Sequence, residues 1–163
     1  MDDILPLPYV EIGKLLGLLA YLEDAEGKVD IYMIPEDIEI EADELISLLK
    51  LAQALGYVEA KEGDVSITSL GKEIVFGDEN KRKILFKESI KKLPIFKKII
   101  NLLVKTTDNS IYRDDLLEML QEEMTDEEAE ETLKSIIELG RYAELIGYNP
   151  EDKEIYLDKL EEI

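Results

Sequence analysis

LAQALGYVEAKEGDVSIT, Leu51 to Thr68, is the stretch that decides the fold. Its first residues finish a helix that the spacing predicts from Asp43 to Leu55, with Leu45, Leu48, Leu49, Ala52 and Leu55 on one side. Gly56 follows as a left-handed cap. Tyr57 to Ala60, the turn Glu62-Gly63-Asp64 and the alternating Val65 to Thr68 then read as a hairpin. A second copy of the signal comes later: Ile146-Gly147-Tyr148, an acidic loop Asn149-Pro150-Glu151-Asp152, and Ile155-Tyr156-Leu157. A helix that runs at once into a small antiparallel hairpin is how a winged-helix domain ends. The expected fold is therefore mostly α with small β-hairpins (α+β), as tandem winged-helix (helix-turn-helix) domains joined by helices.

Working outward, Ile12, Leu15, Leu16 and Leu19 give one apolar face to a helix expected from Tyr9 to Asp24. Gly17 inside it costs about 1 kcal/mol relative to Ala, tolerable where a neighbouring helix approaches closely. Val29 to Tyr32 reads as a short strand, and Pro35 opens a short helix through Ile40. In the second half, Ile111-Tyr112 is a short strand and Arg113 to Met124 a helix. Thr125-Asp126-Glu127-Glu128 is a capping box that opens a long helix with Ala129, Leu133, Ile136 and Ile137 inward, ending near Gly147.

Charge divides the chain in three. Of its formal charge of −20, residues 1–77 carry 5 basic and 17 acidic side chains and residues 106–163 carry 5 and 19. Residues 78–105 carry 9 basic and 3 acidic ones. The expected organisation is a first winged-helix domain at 1–77, a basic helical connector at 78–105 and a second winged-helix domain at 106–163. Within the connector, Phe86, Ile90 and Leu93 share a face opposite Lys83, Lys87, Lys91 and Lys92. Pro94 breaks it, and Phe96, Ile99, Ile100 and Leu103 begin a new apolar face with Lys97, Lys98 and Lys105 turned away.

Composition narrows the chemistry. The 163 residues include no cysteine and no histidine, so thiolate sites are absent and the commonest general base and metal ligand is missing. Adjacent carboxylates such as Asp114/Asp115, Glu122/Glu123 and Glu130/Glu131 do not face each other as a catalytic pair must. No nucleotide-cradling glycine motif occurs. The expectation is no enzyme, no cofactor and no metal site. Apolar runs are broken by charge before the ~20 residues a membrane span needs, and Met1-Asp2-Asp3 is acidic where a secretory signal is basic. A cytoplasmic protein follows.

Winged helices usually place their second helix in the DNA major groove. Here that helix, Thr125 to Leu139, holds Asp126, Glu127, Glu128, Glu130, Glu131 and Glu138 against Lys134. Such a face repels phosphate, so nucleic acid is disfavoured. A transcriptional regulator reaching DNA through the basic connector or a dimer surface is the alternative. Gly140-Arg141-Tyr142 stands apart. Arg141 at a helix C-terminus complements the dipole and Tyr142 packs inward, or both anchor an interface, as Arg and Tyr often do. Arg141 and Tyr142, with Lys87, Lys91, Lys92, Lys97 and Lys98, are the candidate interaction residues.

At these residues the chain resembles a known family, the AAA-associated domain found C-terminal to ATP-binding subunits of nitrate/sulfonate/taurine/bicarbonate-type ABC importers. The likeness runs through Gly13-Lys14-Leu15-Leu16-Gly17-Leu18-Leu19, Ile31-Tyr32, Leu55-Gly56-Tyr57, Gly63 to Thr68 with Gly71, and Leu93-Pro94. It is strongest at Gly140-Arg141-Tyr142-Ala143-Glu144-Leu145, and departs at Leu139 and Ile146, where the family has aromatic residues. The resemblance implies a divergent regulatory or accessory domain without ATPase activity, stand-alone or part of a longer chain. Its implied partner is an ABC-importer ATPase or a second copy of itself. A small oxyanion held between modules is a further option with no sequence feature of its own.

Overall fold

A computed structural model describes residues 5–158; the acidic Met1-Asp2-Asp3 terminus and the ends of the two outer domains lie outside them. The protein is mostly helical, with two small antiparallel three-stranded sheets. The chain forms two compact units, one made of residues 10–82 and the other of residues 83–158 together with 5–9. The basic stretch 78–105 is thus divided at Lys83.

The 10–82 unit starts with α1 (Ile12–Asp24), β1 (Lys28–Asp30), a 3-10 turn (Ile31–Met33) and α2 (Ile34–Asp37). It continues with α3 (Ala42–Ala54), β2 (Val58–Lys61), β3 (Asp64–Ile67) and α4 (Ser69–Phe76). Leu15, Leu18, Leu19, Leu22, Leu48, Leu51, Tyr57 and Ile74 are buried in its core. β3 is the central strand, in the order β1-β3-β2. The expected strand through Tyr32 is cut short because Asp30 turns the chain: its Oδ1 accepts the Tyr32 N–H at 2.9 Å and caps the 3-10 turn. The helix expected from Tyr9 begins instead at Ile12, because Glu11 stands in an extended conformation (φ −72°, ψ 136°) as the N-cap; Leu5-Pro6-Leu7-Pro8-Tyr9 before it forms neither helix nor strand. Gly17 admits no helix; nothing lies within 4 Å of where its Cβ would stand.

α5 (Glu79–Lys91) spans the division between units. The second unit goes on with α6 (Pro94–Lys105), β4 (Ser110–Tyr112), α7 (Arg113–Gln121), α8 (Asp126–Tyr142), β5 (Ile146–Asn149) and β6 (Glu154–Leu157). Pro94 sits at the first turn of α6, where its missing N–H costs nothing. The capping box is present: Thr125 Oγ1 accepts the Glu128 N–H at 3.1 Å and Glu128 Oε1 accepts the Thr125 N–H at 3.0 Å. Phe86, Phe96, Ile99, Leu133, Ile136 and Leu139 are among the buried side chains.

The internal repeat is exact enough to see in single hydrogen bonds. β6 lies between β4 and β5 as β3 lies between β1 and β2. Ile31 N–H donates to Gly63 C=O at 2.8 Å, and Arg113 N–H donates to Lys153 C=O at 2.7 Å. Ile67 N–H reaches Gly27 C=O at 2.8 Å, matched by Leu157 N–H on Asn109 C=O at 3.0 Å. α3 and α8 both end in a Schellman motif. Tyr57 N–H donates to Ala52 C=O and Gly56 N–H to Gln53 C=O; Leu145 N–H donates to Gly140 C=O and Glu144 N–H to Arg141 C=O.

Those bonds correct the register of the repeat. α8 ends at Tyr142, five residues before Gly147, so Leu55-Gly56-Tyr57 corresponds to Ala143-Glu144-Leu145. The residue in the left-handed position is Glu144, at φ 57°, where the first unit has Gly56 at φ 82°. Gly147 instead lies in β5 opposite Tyr156, whose ring fills the place a Cβ would take, within 2.4 Å of it. The two Gly-Tyr pairs in the sequence are therefore not structural equivalents.

Candidate functional site

The Gly140 to Leu145 segment is mainly a piece of packing. Gly140 is buried because Ile146 Cγ1 stands 2.3 Å from the point its own Cβ would occupy. The Tyr142 ring meets Phe86 of α5 edge-on, centroids 5.0 Å apart at 65°. Lys83 Nζ lies 5.9 Å from the centre of the same ring and 3.7 Å from Glu144 Oε1. Ala143 and Leu145 are buried. Phe86, Tyr142, Lys83 and Glu144 thus seat α5 on the C-terminal end of α8, with a cation held beside a ring face and a carboxylate. Tyr142 is part of this joint.

Arg141 is placed differently. It is exposed in the last turn of α8, where a cation complements the helix dipole. The chain's other arginines are engaged inside their own units. Arg82 Nε and Nη2 donate to the Ile74 and Val75 carbonyls at 2.8 and 3.1 Å, satisfying the C-terminal end of α4. Arg113 bridges Glu130 at 3.0 Å and Asp114 at 3.3 Å. The Arg141 guanidinium has no such partner among the described residues.

The lysines picked from the sequence fall on two helices and the turn between them. Lys87 and Lys91 lie half-buried on α5, and exposed Lys92 follows its last residue. Lys97 and Lys98 are exposed on α6, and Lys98 Nζ stands 3.4 Å from Glu123 Oε2. The acidic residues Asp126, Glu127, Glu128, Glu130 and Glu131 are all exposed along α8. Among the described residues no cluster of three or more acidic side chains is arranged to hold a metal ion, and no helix is long and apolar enough to cross a membrane.

Two further contacts shape the 10–82 unit. Tyr21 donates its hydroxyl proton to Asp37 Oδ2 at 2.6 Å, tying α1 to α2, and partial burial together with that carboxylate pushes the phenol up to about 12. Lys14 pairs with Glu44 of α3, and that hydrogen bond raises its pKa.

One contact had no forerunner in the sequence reading. Thr132, wholly buried on α8, accepts the Leu7 N–H at 3.0 Å, and Glu131 Oε1 accepts the Tyr9 N–H at 3.1 Å.

The fold and these surfaces define a twice-repeated helical protein with small antiparallel sheets, whose most distinctive residues close the end of a helix. It belongs to the C-terminal AAA-associated domain family, whose model matches residues 32–149. That span runs from the first 3-10 turn to β5, so the family's domain takes in both repeats. No curated protein and no solved structure matches the chain.

Proposed function

We propose that this chain is a non-catalytic regulatory module that works through protein contacts, with the ATP-binding subunit of an ABC importer as its partner. The observation that carries the proposal is Arg141: an exposed arginine inside the family-like Gly140 to Leu145 segment, with no intramolecular partner among the described residues. A residue that the fold does not use is free to meet another protein, and arginine is among the commonest interface anchors. Membership of the AAA-associated family supplies the class of partner.

Each unit has the helix, strand, helix, helix, hairpin order of a winged helix, with α3 and α8 where a reader helix would stand. The exposed acidic face of α8 favours a protein partner over phosphate. Arg82, Lys83 and Lys98 of the basic stretch already face carbonyl or carboxylate groups, which leaves less positive surface for nucleic acid.

Binding to a purified importer ATPase, followed by calorimetry and by ATP turnover, tests the proposal. The wild-type chain should bind and shift turnover. Arg141→Ala should weaken binding by roughly tenfold or more, as loss of an anchor worth ~1.4 kcal/mol or more does. Its stability should stay within about 0.5 kcal/mol of wild type, since the side chain is at the surface. No binding and no change in turnover by the wild-type chain would remove the transporter reading.

A further inference from the structure

The segment before α1 is seated on α8. Leu5-Pro6-Leu7-Pro8-Tyr9 forms neither helix nor strand and belongs to the second unit, although the chain passes directly from it into the first. Proline has no N–H, so between Leu5 and Tyr9 the donors that need a partner on docking are those of Leu7 and Tyr9. Both find one on adjacent residues of α8. Thr132 Oγ1 takes the Leu7 N–H at 3.0 Å while its own hydroxyl faces the Leu7 carbonyl at 3.5 Å, and Glu131 Oε1 takes the Tyr9 N–H at 3.1 Å. Leu7 is 7% exposed and Thr132 fully buried, and Lys134 Nζ stands 5.8 Å from the centre of the Tyr9 ring.

This seat is specific to the second unit. The residue of α3 that corresponds to Thr132, counted back from the matched helix ends, is Glu44, which is tied instead to Lys14 of α1. A threonine in mid-helix ordinarily bonds back to its own helix; this one meets the backbone of a distant segment. The prolines restrict the backbone of that segment before it docks, which lowers the ordering cost of binding. Only Val10 and Glu11 separate it from α1, and a short hinge before a docked segment favours exchange between copies.

We propose that the face of α8 formed by Glu131, Thr132 and Lys134 is a peptide-binding site that the Leu5–Tyr9 segment of a second copy of this chain can fill in place of the chain's own. The contact joins two copies through the same hydrogen bonds that close it within one. It is independent of Arg141 and of any ATPase partner.

Complementation between two full-length variants tests it. Leu7→Ser removes the buried side chain of the segment and leaves the seat intact. Glu131→Ala with Thr132→Val keeps the segment and removes both acceptors; the change at buried Thr132 is nearly isosteric, and the shortened side chain at Glu131 is on the surface. Each variant alone should sediment as a monomer near 18.6 kDa. An equimolar mixture should form a heterodimer of twice that mass at high protein concentration, because one chain offers a sound segment and the other a vacant seat. A mixture that stays monomeric overturns the proposal.

Amide exchange on the unmodified chain gives a second reading that needs no variant to fold. If the segment detaches, the Leu7 and Tyr9 amides exchange through a local opening insensitive to low urea, while those of Leu133 and Ile136 require global unfolding. If Leu7 exchanges only with global unfolding, the segment is a fixed part of the core and exchange between copies is ruled out.

Discussion

The two units close the same corners with different residues. At the end of α3 the left-handed residue is Gly56, and at the end of α8 it is Glu144. At the hairpin corner that accepts the N–H following the short strand, Gly63 at φ 85° is matched by Lys153 at φ 54°. Any L-residue other than glycine is strained there by about 1–2 kcal/mol. Yet the hydrogen bonds that close the corners agree within 0.2 Å, as in the pair at 2.8 and 2.7 Å. The backbone path is therefore set by the bonds and the packing around it. Glycine only makes the path cheaper.

A second difference lies beneath those corners, and it predicts the largest effect. Ala52 and Val58 of the first unit correspond to Gly140 and Ile146 of the second, one methyl having moved from helix to strand. Gly140→Ala alone places a Cβ against Ile146 Cγ1 at 2.3 Å and should lower stability by about 1–3 kcal/mol, the usual range for overpacking. Adding Ile146→Val reproduces the first unit's pair; it removes Cδ1, which also stands 2.6 Å from that point, and lets the smaller side chain turn its γ-carbons aside, so it should recover part of that loss. Urea unfolding of the two single variants and the double closes the cycle; additive effects would mean that the units do not share this joint.

Next in size are exchanges at the corners. Gly56→Glu should cost about 1 kcal/mol, since it adds left-handed strain and gains back some unfolded-state entropy. Lys153→Gly should stabilise the chain by somewhat less than 1 kcal/mol for the converse reason. Glu144→Gly should gain less than Lys153→Gly, because it also gives up the ion pair with Lys83, whose partners are partly exposed and worth about 0–1 kcal/mol. Thermal midpoints of the three variants suffice to rank them. A Glu144→Gly gain larger than that of Lys153→Gly would show that the Lys83 pair contributes nothing to seating α5.

The same contrast explains what could be read from sequence. Gly56, Gly63 and the Val65 to Ile67 alternation expose the first hairpin, and Thr125 with Glu128 exposes the start of α8. The end of α8 stayed hidden because Glu144 does the work of a glycine, and a glutamate gives no sign of a left-handed turn. Gly147, three residues on, offered a false landmark whose reason is the Tyr156 ring across the sheet. For the candidate site the sequence found the right segment but could not divide it. Tyr142 turns toward Phe86 and Arg141 toward solvent, which depends on where the helix face points relative to α5. The seat for Leu7 was out of reach, since Thr132 and Leu7 are 125 residues apart and neither type is distinctive.

The smallest predicted effect separates the units by pH. Tyr21 holds its proton up to about 12 in the folded protein, against 10.0 for the free group, because it is partly shielded from water and donates to Asp37. A pKa raised by folding contributes stability that is whole below pH 10 and is lost as pH climbs toward 12, where the folded state binds a proton the unfolded state has released. Tyr21→Phe cannot titrate. The stability gap between wild type and Tyr21→Phe should therefore be constant from neutral pH to about 9 and shrink above 10. In the second unit an ion pair, Arg113 with Glu130, joins α7 to α8. Alkali should accordingly speed amide exchange in residues 10–82 of the wild type before it does so in residues 83–158, beyond the intrinsic pH effect. Equal acceleration in both units would mean that Tyr21 and Asp37 do not hold the first one together.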